Sequence, residues 1–510
     1  MMIGYLVEFL LMSAVAAIAF RTVVLDARRK RVEQAYTFLP SNVHGGARFA
    51  ANDDLRKARL FRRKGVRIGY SPDGKHALYY PGYGHLLTVA AARTGKGATM
   101  LVNALLSWRG SCICIDPKAE NAAITAHGRL RFGRVLILNP FGMLPEALAG
   151  LPAARFNPMD ILDTNSSAFH AMCDKIAAAL VWEEGKDGIH FTTAARALVA
   201  GLIAALKRHG RLADQNLAAL ARVVNGDIVG FCRRTVRQTR DPFIVDKLDR
   251  FAWADPESRE VQDVIATART QLAFIGNAAI SQSLSGSDFR FSDLKRQKGT
   301  TVYICLPLNL LDVSDKYFRL ILETALADLL AEGRQGKKNP VLAIVDEMAQ
   351  LGPHMKSLEN AMGMAAGAAG LQLWCVLQDL SQLKGMFPQT WETFIQNCGV
   401  TTWFGARDQT TREYVSKLSG TTEVISRSRS VSLDRRGEPH VSDSMNQSAR
   451  PLLLPHEVGA IGSDEMIAFV EGVRCGPVRA KRKFYFKAFW SGYRPNPYVK
   501  NAGVWRRVFG

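Results

Sequence analysis

The segment LLTVAAARTGKGATM, Leu86 to Met100, constrains the fold of this chain more than any other. An apolar run leads into a lysine bracketed by glycines, and a helical pattern follows. A buried strand, a tight turn with inward amides, a lysine and a helix start together cradle a nucleotide's phosphates, because orphan N–H groups and the helix dipole both favour an anion. Such a strand belongs inside a sheet covered on both faces. The remaining sequence supplies one: SCICI, VLIL, TVYICL, VLAIV, LQLWCVL, GVTTWF and MIAFV alternate with longer helical patterns. Continuous apolar runs separated by helices are what a parallel sheet requires, so the core is α/β.

The candidate nucleotide-binding residues are Ala92, Arg93, Thr94, Gly95, Lys96, Gly97 and Ala98. Two positions depart from the usual loop pattern. Ala90 stands where an opening glycine is common, and Gly97 where a Ser or Thr hydroxyl would meet magnesium, with Thr99 nearby but out of register. A chance glycine-rich turn is the other reading. VLAIVDEMAQLG ends its apolar run in Asp346 and Glu347. At the carboxyl edge of a sheet, Asp346 can hold Mg2+ through water and Glu347 can polarise an attacking water; a solvated acidic turn is the alternative. Gln378 follows LQLWCVL, where an amide can sense a γ-phosphate or merely cap a helix. Arg407 and Arg412 follow GVTTWF. In a ring of such domains Arg407 can reach the neighbour's phosphate as an arginine finger, whereas a salt bridge to Asp408 or Glu413 is the simpler reading.

Along 510 residues about two to four domains are expected. From 166 to 287 strand signals vanish. Ala195, Leu198, Val199, Leu202, Ile203 and Leu206 recur at helical spacing, with Lys207, Arg208 and His209 before a stop at Gly210. LARVVNG and VQDVIATARTQLAFIG continue the texture, so 166–287 reads as an all-α domain inserted into an α/β domain formed by 81–165 and 288–490. Met1 to Phe20 are apolar apart from Glu8, and about 20 such residues as a helix span about 30 Å, enough to cross a bilayer, so 1–22 reads as a transmembrane anchor. Arg21, Arg28, Arg29, Lys30 and Arg31 then place the body in the cytoplasm. A cleaved signal peptide and a buried helix are the rivals to this anchor.

The charge needs a partner. With 66 Lys and Arg against 46 Asp and Glu the formal balance is +20, a surface that attracts nucleic acid or anionic lipid. Part of the excess lies in 23–80, read as a basic juxtamembrane segment with Arg56, Lys57, Arg59, Arg62, Arg63, Lys64 and Arg67. Another part lies near the end, where Arg479, Lys481, Arg482, Lys483 and Lys487 interleave with Phe484, Tyr485, Phe486, Phe489 and Trp490. Bases can stack on such aromatics, but the pattern also describes an edge strand, with 491–510 as a tail. SRSRSVS reads as a mobile loop. The eight scattered cysteines read as buried free thiols in a reducing compartment.

Taken together, these residues resemble the TraG-like and TraD-like type IV coupling proteins, the membrane-anchored ATPases of conjugation and type IV secretion. The matching pieces are RTGKG, SCICIDPKAENA with Asp116, Lys118 and Glu120, FNPMDIL near Asn157, SDFRFSDLKRQKGTTVYICLP, VDEMAQLG, LQDLSQL, QNCGVTTWFGARD and RPLLLPHEV from Arg450. The GKG form of the loop is itself used within the family. The resemblance implies a RecA-like P-loop ATPase fold with ATP and Mg2+, working as a homo-hexamer on the bacterial inner membrane against other secretion components. Lys96 would then bind phosphate, Asp346 magnesium, Glu347 activate water, and Gln378 couple hydrolysis to movement. The implied cargo is single-stranded DNA with its relaxase, or effector proteins, recruited by the inserted domain. The family usually has two membrane helices, so the single expected span implies either an amino-terminally shortened member or one that relies on another subunit for part of its anchoring. Two other functions stay open: a nucleotide-binding substrate receptor with little hydrolysis, and an FtsK-type DNA translocase.

Overall fold

The computed structural model describes residues 19–23, 44–182, 189–255, 258–332, 340–352, 355–363, 370–433, 439–489 and 491–499. The expected membrane span lies outside the described residues except for 19–22, which are helical and exposed. The chain divides into two compact units, 1–47 with 420–452, and 48–419 with 453–510.

In the larger unit, the described residues before the break at 420 form nine strands: β1 (Val66–Tyr70), β2 (Ala77–Tyr80), β3 (His85–Val89), β4 (Cys112–Ile115), β5 (Val135–Leu138), β6 (Thr301–Ile304), β7 (Val341–Val345), β8 (Leu371–Leu377) and β9 (Cys398–Trp403). The smaller unit contains β10 (Thr421–Leu433) and β11 (Pro439–Pro451), an antiparallel pair in unbroken register from Thr421 opposite Pro451 to Leu433 opposite Pro439. SRSRSVS therefore sits in a strand and not in a mobile loop. Its strict two-residue alternation is the period of a strand. The larger unit resumes with β12 (Glu465–Val470) and β13 (Val478–Lys481).

Among the described residues eleven strands form one sheet in the order β2, β1, β13, β12, β9, β3, β8, β7, β4, β6, β5. From β9 to β5 the pairing is parallel, and the four strands beyond β9 are antiparallel. All eight apolar runs of the sequence are strands, though MIAFV, as β12, runs antiparallel. Two boundaries shift. β1 and β2 lie inside the stretch read as juxtamembrane, and Arg67 is buried there with its guanidinium 4.9 Å from the Phe489 ring. The basic-aromatic run is not an edge strand either: β13 ends at Lys481 between β1 and β12, Tyr485 and Phe486 lie in the short helix Tyr485–Ala488, and Phe484 and Phe489 flank it; Trp490 lies outside the described residues.

Alternate residues of the central strands feed two cores. Leu87, Val89, Ile113, Ile115, Leu373, Cys375 and Leu377 pack on one face, and Leu86, Cys112, Cys114, Ile344, Trp374 and Val376 on the other. Burial on both faces explains the unbroken apolar runs. All eight cysteines are free, six of them buried, and burial pushes the Cys375 thiol up to about 12.

Between β5 and β6 the described residues contain helices and no strand. Phe169–Leu180, Ile189–His209, Leu217–Asn225, Ile228–Gln238, Pro242–Ala252 and Arg259–Leu272 share the first core with the sheet. Among the described residues one helix, Ile189–His209, is long and apolar enough to cross a membrane. Its Leu198, Val199, Leu202 and Ile203 are fully buried, so its apolar stripe packs inside this core.

Asp241 ties these helices together. One carboxylate oxygen caps Pro242–Ala252 by accepting from the Phe243 amide at 3.0 Å. The other accepts from Arg208 Nε at 2.6 Å and pairs with His170 Nε2 at 2.9 Å. Burial pushes the carboxyl up, but the His170, Phe243 and Arg208 contacts outweigh it, and its pKa lies below the ordinary value. That stabilisation is complete above the unfolded carboxyl's pKa and is lost as pH falls through the lower folded value. Asp241→Ala is expected to cost about 3 kcal/mol at pH 7, less at pH 3, in denaturant unfolding.

Candidate nucleotide-binding site

The strand order brings the sequence motifs together. β8 pairs with both β3 and β7, and β7 with β4. Val89 is level with Leu377, and Val345 with Cys375 and Ile115. The residues that follow these strands, the RTGKG loop, Gln378, Asp346 and Asp116, therefore emerge side by side at the carboxyl edge of a parallel sheet, where ligands of α/β proteins bind.

Ala90 needs no glycine at its position. It is buried and extends β3, its amide donating to the Leu377 carbonyl at 2.9 Å. The loop turns further on, through left-handed backbone at Arg93 (φ 63°) and Gly95 (φ 80°). Gly97–Leu101 is π-helical and leads into the α-helix Val102–Ser107, a local widening often found at functional sites. A Cβ on Gly97 would meet nothing within 4 Å, so packing does not demand the glycine there. Thr99 Oγ donates to the Gly95 carbonyl at 2.8 Å and Thr94 Oγ to Ala91 at 2.7 Å. Both hydroxyls serve the loop itself.

Lys96 reaches across to β7. Its Nζ lies 2.9 Å from Glu347 Oε1 and 3.5 Å from Asp346 Oδ1. Glu347 Oε2 accepts from Gln378 Nε2 at 3.0 Å. The helix after Gln378 is capped by Asp379, whose carboxylate accepts from the Gln382 amide, so the Gln378 side chain is left for the site. Glu347 has left-handed backbone, φ 52° and ψ 47°, a costly conformation for a glutamate that turns the chain directly after Asp346. Burial pushes Glu347 up, but Lys96 and Gln378 more than offset this and hold it below the ordinary carboxyl value. Burial raises Asp346, and Lys96 only partly compensates.

These groups line a cavity of about 680 Å³. Of the predicted loop residues, Ala92, Arg93, Gly95, Lys96, Gly97 and Ala98 line it, together with Asp346, Glu347 and Gln378. Thr94 does not. Arg407 is exposed and outside this lining, so it does not join its own chain's site. Arg412 donates to the Ala406 carbonyl at 2.8 Å, while Asp408 caps its helix and Glu413 accepts from Gln409; the simpler salt-bridge reading of these arginines is not what forms.

Two sets of lining residues lay beyond the sequence reading of the site. Asp116, Lys118, Glu120 and Asn121 line the cavity from the end of β4; an apolar strand followed by DPKAEN is the same signal that marked Asp346. Burial pushes the Asp116 carboxyl up to about 7, opposed by the Ala122 amide and reinforced by Asp346. The other set comes from 484–499. Just before it, Arg482 is buried with its guanidinium 3.8 Å over the Phe404 ring. It donates to the Thr94 carbonyl at 2.8 Å and to Thr99 Oγ at 3.3 Å, clamping the phosphate loop from behind. Burial lowers its pKa to about 10. Arg482→Met leaves the Thr94 carbonyl without this donor, and ADP affinity measured by calorimetry is expected to fall about tenfold.

A glycine-lysine loop between a parallel strand and a helix, facing two carboxylates at the end of a nearby strand, defines a P-loop NTPase fold. The chain belongs to the family described as "Type IV secretory system Conjugative DNA transfer", whose model matches residues 48–503. VirD4 of Agrobacterium fabrum is 27% identical over 448 residues, covering 84% of this chain and 64% of VirD4. The chain thus spans just under two thirds of that relative's length. The conjugal transfer protein TraG of Escherichia coli is 27% identical over 515 residues, covering 87% of this chain and 77% of TraG. Among solved structures, the conjugative coupling protein TrwBΔN70 matches with a TM-score of 0.64 at 16% identity, covering 88% of this chain and 95% of TrwBΔN70. TrwB has also been solved with ADP and Mg2+.

Proposed function

We propose that this chain is a membrane-anchored ATPase that couples DNA with its relaxase, or effector proteins, to a type IV secretion channel and drives their transfer. The observation that carries the reading is the hydrogen-bonded chain Lys96–Glu347–Gln378 at the carboxyl edge of the sheet, in a member of a conjugative DNA transfer family. Lys96 and the loop amides bind and orient the triphosphate. Glu347 accepts a proton from the attacking water. Gln378 holds Glu347 and, directly after the strand between β3 and β7, couples loss of the terminal phosphate to movement.

Mg2+ suits the donor set present. The carboxylates Asp346 and Glu347 stand beside the lysine of the loop, and an ion that keeps several waters and is shared with substrate phosphates needs only one or two such carboxylates from the protein. Asp346 would hold it, and when bound it neutralises charge developing on the phosphates. Arg407, which is exposed, is assigned to act on the site of a neighbour in a homo-hexamer. The helices between β5 and β6 are assigned to substrate recruitment as an inserted domain, and residues 1–22 to a single pass through the inner membrane.

The test is ATP turnover by the purified chain with and without single-stranded DNA. Turnover above that of Lys96→Ala, and stimulated by DNA, is expected; turnover equal to that variant rejects the enzymatic reading. A second reading, a nucleotide-binding receptor with little hydrolysis, is favoured by Gly97, which offers no hydroxyl to the metal, and by Thr99, whose hydroxyl is already engaged. Under it, Glu347→Gln supports transfer in cells as well as the natural chain does.

A further inference from the structure

The cavity lining is more than phosphate chemistry needs. Besides Lys96, Asp346, Glu347 and Gln378 it includes the aromatic side chains Phe484, Phe486 and Tyr493. This aromatic wall comes from the carboxy-terminal segment, which packs on the helix Val102–Ser107 and on the helix Glu120–Arg129 that follows β4. Tyr485 is its anchor, buried among Val102, Leu106 and Ile124. Polar ties fix the rest. Asn103 Nδ2 donates to the Lys483 carbonyl at 2.8 Å and the Arg494 amide to Ile124 at 2.8 Å. Asn496 Nδ2 donates to Glu120 at 2.5 Å, and Tyr498 Oη to the Lys118 carbonyl at 2.7 Å. Close approach is possible because Gly128 has no side chain: a Cβ there would sit 1.8 Å from the Gly492 carbonyl oxygen.

With Tyr485 turned inward, its neighbours keep aromatic surface at the cavity. Phe484 and Phe486 stack on each other with centroids 5.2 Å apart and planes at 13°. Tyr493 packs edge-on against Tyr485 at 4.9 Å. Both Phe486 and Tyr493 are half-buried. Phe484 also reaches the phosphate loop, its ring edge 3.9 Å from where a Gly95 Cβ would lie, so the aromatic wall and the cradle are continuous. A planar heteroaromatic ring is what such a wall accommodates.

We propose that Phe486 and Tyr493 form the base subsite of the nucleotide site, stacking on the nucleobase of the triphosphate held by Lys96. This rests on the nucleotide-binding reading above. It gives the aromatic run a role at the nucleotide and not on single-stranded DNA.

The experiment compares ATP with inorganic tripolyphosphate, both with Mg2+, on the full chain by calorimetry. Tripolyphosphate meets only the cradle. The natural chain is expected to bind ATP more tightly, and the double variant Phe486→Leu/Tyr493→Leu, which keeps apolar bulk but removes the π faces, to lose about tenfold in ATP affinity with tripolyphosphate binding unchanged. Phe486→Trp should retain the ATP preference, and its indole fluorescence should respond to ATP and not to tripolyphosphate. An unchanged ratio in the leucine variant overturns the subsite while leaving the cradle standing. So does a loss confined to single-stranded DNA binding. Failure of the natural chain to bind ATP rejects the underlying reading, and the subsite with it.

Discussion

Glu347→Gln is expected to lower ATP turnover about a hundredfold to a thousandfold while nucleotide still binds. The carboxylate sits between two donors, Lys96 at 2.9 Å and Gln378 at 3.0 Å. Those contacts hold its pKa down and keep it ionised, the state needed to take a proton from water. An amide at this position offers one acceptor where two are used and has no charge to attract the proton. The change also releases Lys96 from its strongest counter-charge, so nucleotide affinity should be equal or higher. Turnover falling together with affinity would instead mean that Glu347 is part of the binding framework.

Lys96→Ala acts on the earlier step. A charged donor to phosphate contributes about 2–3 kcal/mol, so affinity for ATP and for ADP should fall about a hundredfold, and turnover with it. A second consequence distinguishes this lysine from a surface cation. Asp346 and Glu347 are left as adjacent, largely buried carboxyls without their shared counter-ion, and both pKa values rise. A raised carboxyl pKa makes the folded state bind more protons than the unfolded one, so stability falls as pH rises through that window. The variant should therefore melt lower than the natural chain at pH 8 and closer to it at pH 5. A uniform loss at both pH values would show that the lysine does not neutralise this pair.

The parts of this site that the sequence announces are those carried by the ends of apolar strands. LLTVAA, VLAIV and LQLWCVL are buried on both faces, and each stops at the residue that enters the cavity, so the RTGKG loop, Asp346, Glu347 and Gln378 were legible. Their adjacency was not, because it depends on β8 inserting between β3 and β7, and register between distant strands leaves no trace in local pattern. Asp116 carried the same strand-end signal but no recognisable partner until β4 lay beside β7. The carboxy-terminal wall was hidden for another reason. Its alternation of basic and aromatic residues is equally the texture of a strand, and only the pocket beside Val102, Leu106 and Ile124 commits Tyr485 to the core. Arg482 looked like one cation in a basic run, yet it is buried against Phe404 and the phosphate loop.

Transfer itself tests the central claim most directly. In cells that depend on this chain for conjugation, the gene is replaced by Lys96→Ala or Glu347→Gln at matched protein levels, and plasmid transfer with a matched relaxase is counted. Both variants should reduce transfer to the level of cells lacking the protein. Transfer at the natural frequency with either variant would contradict an ATPase that drives cargo through the channel.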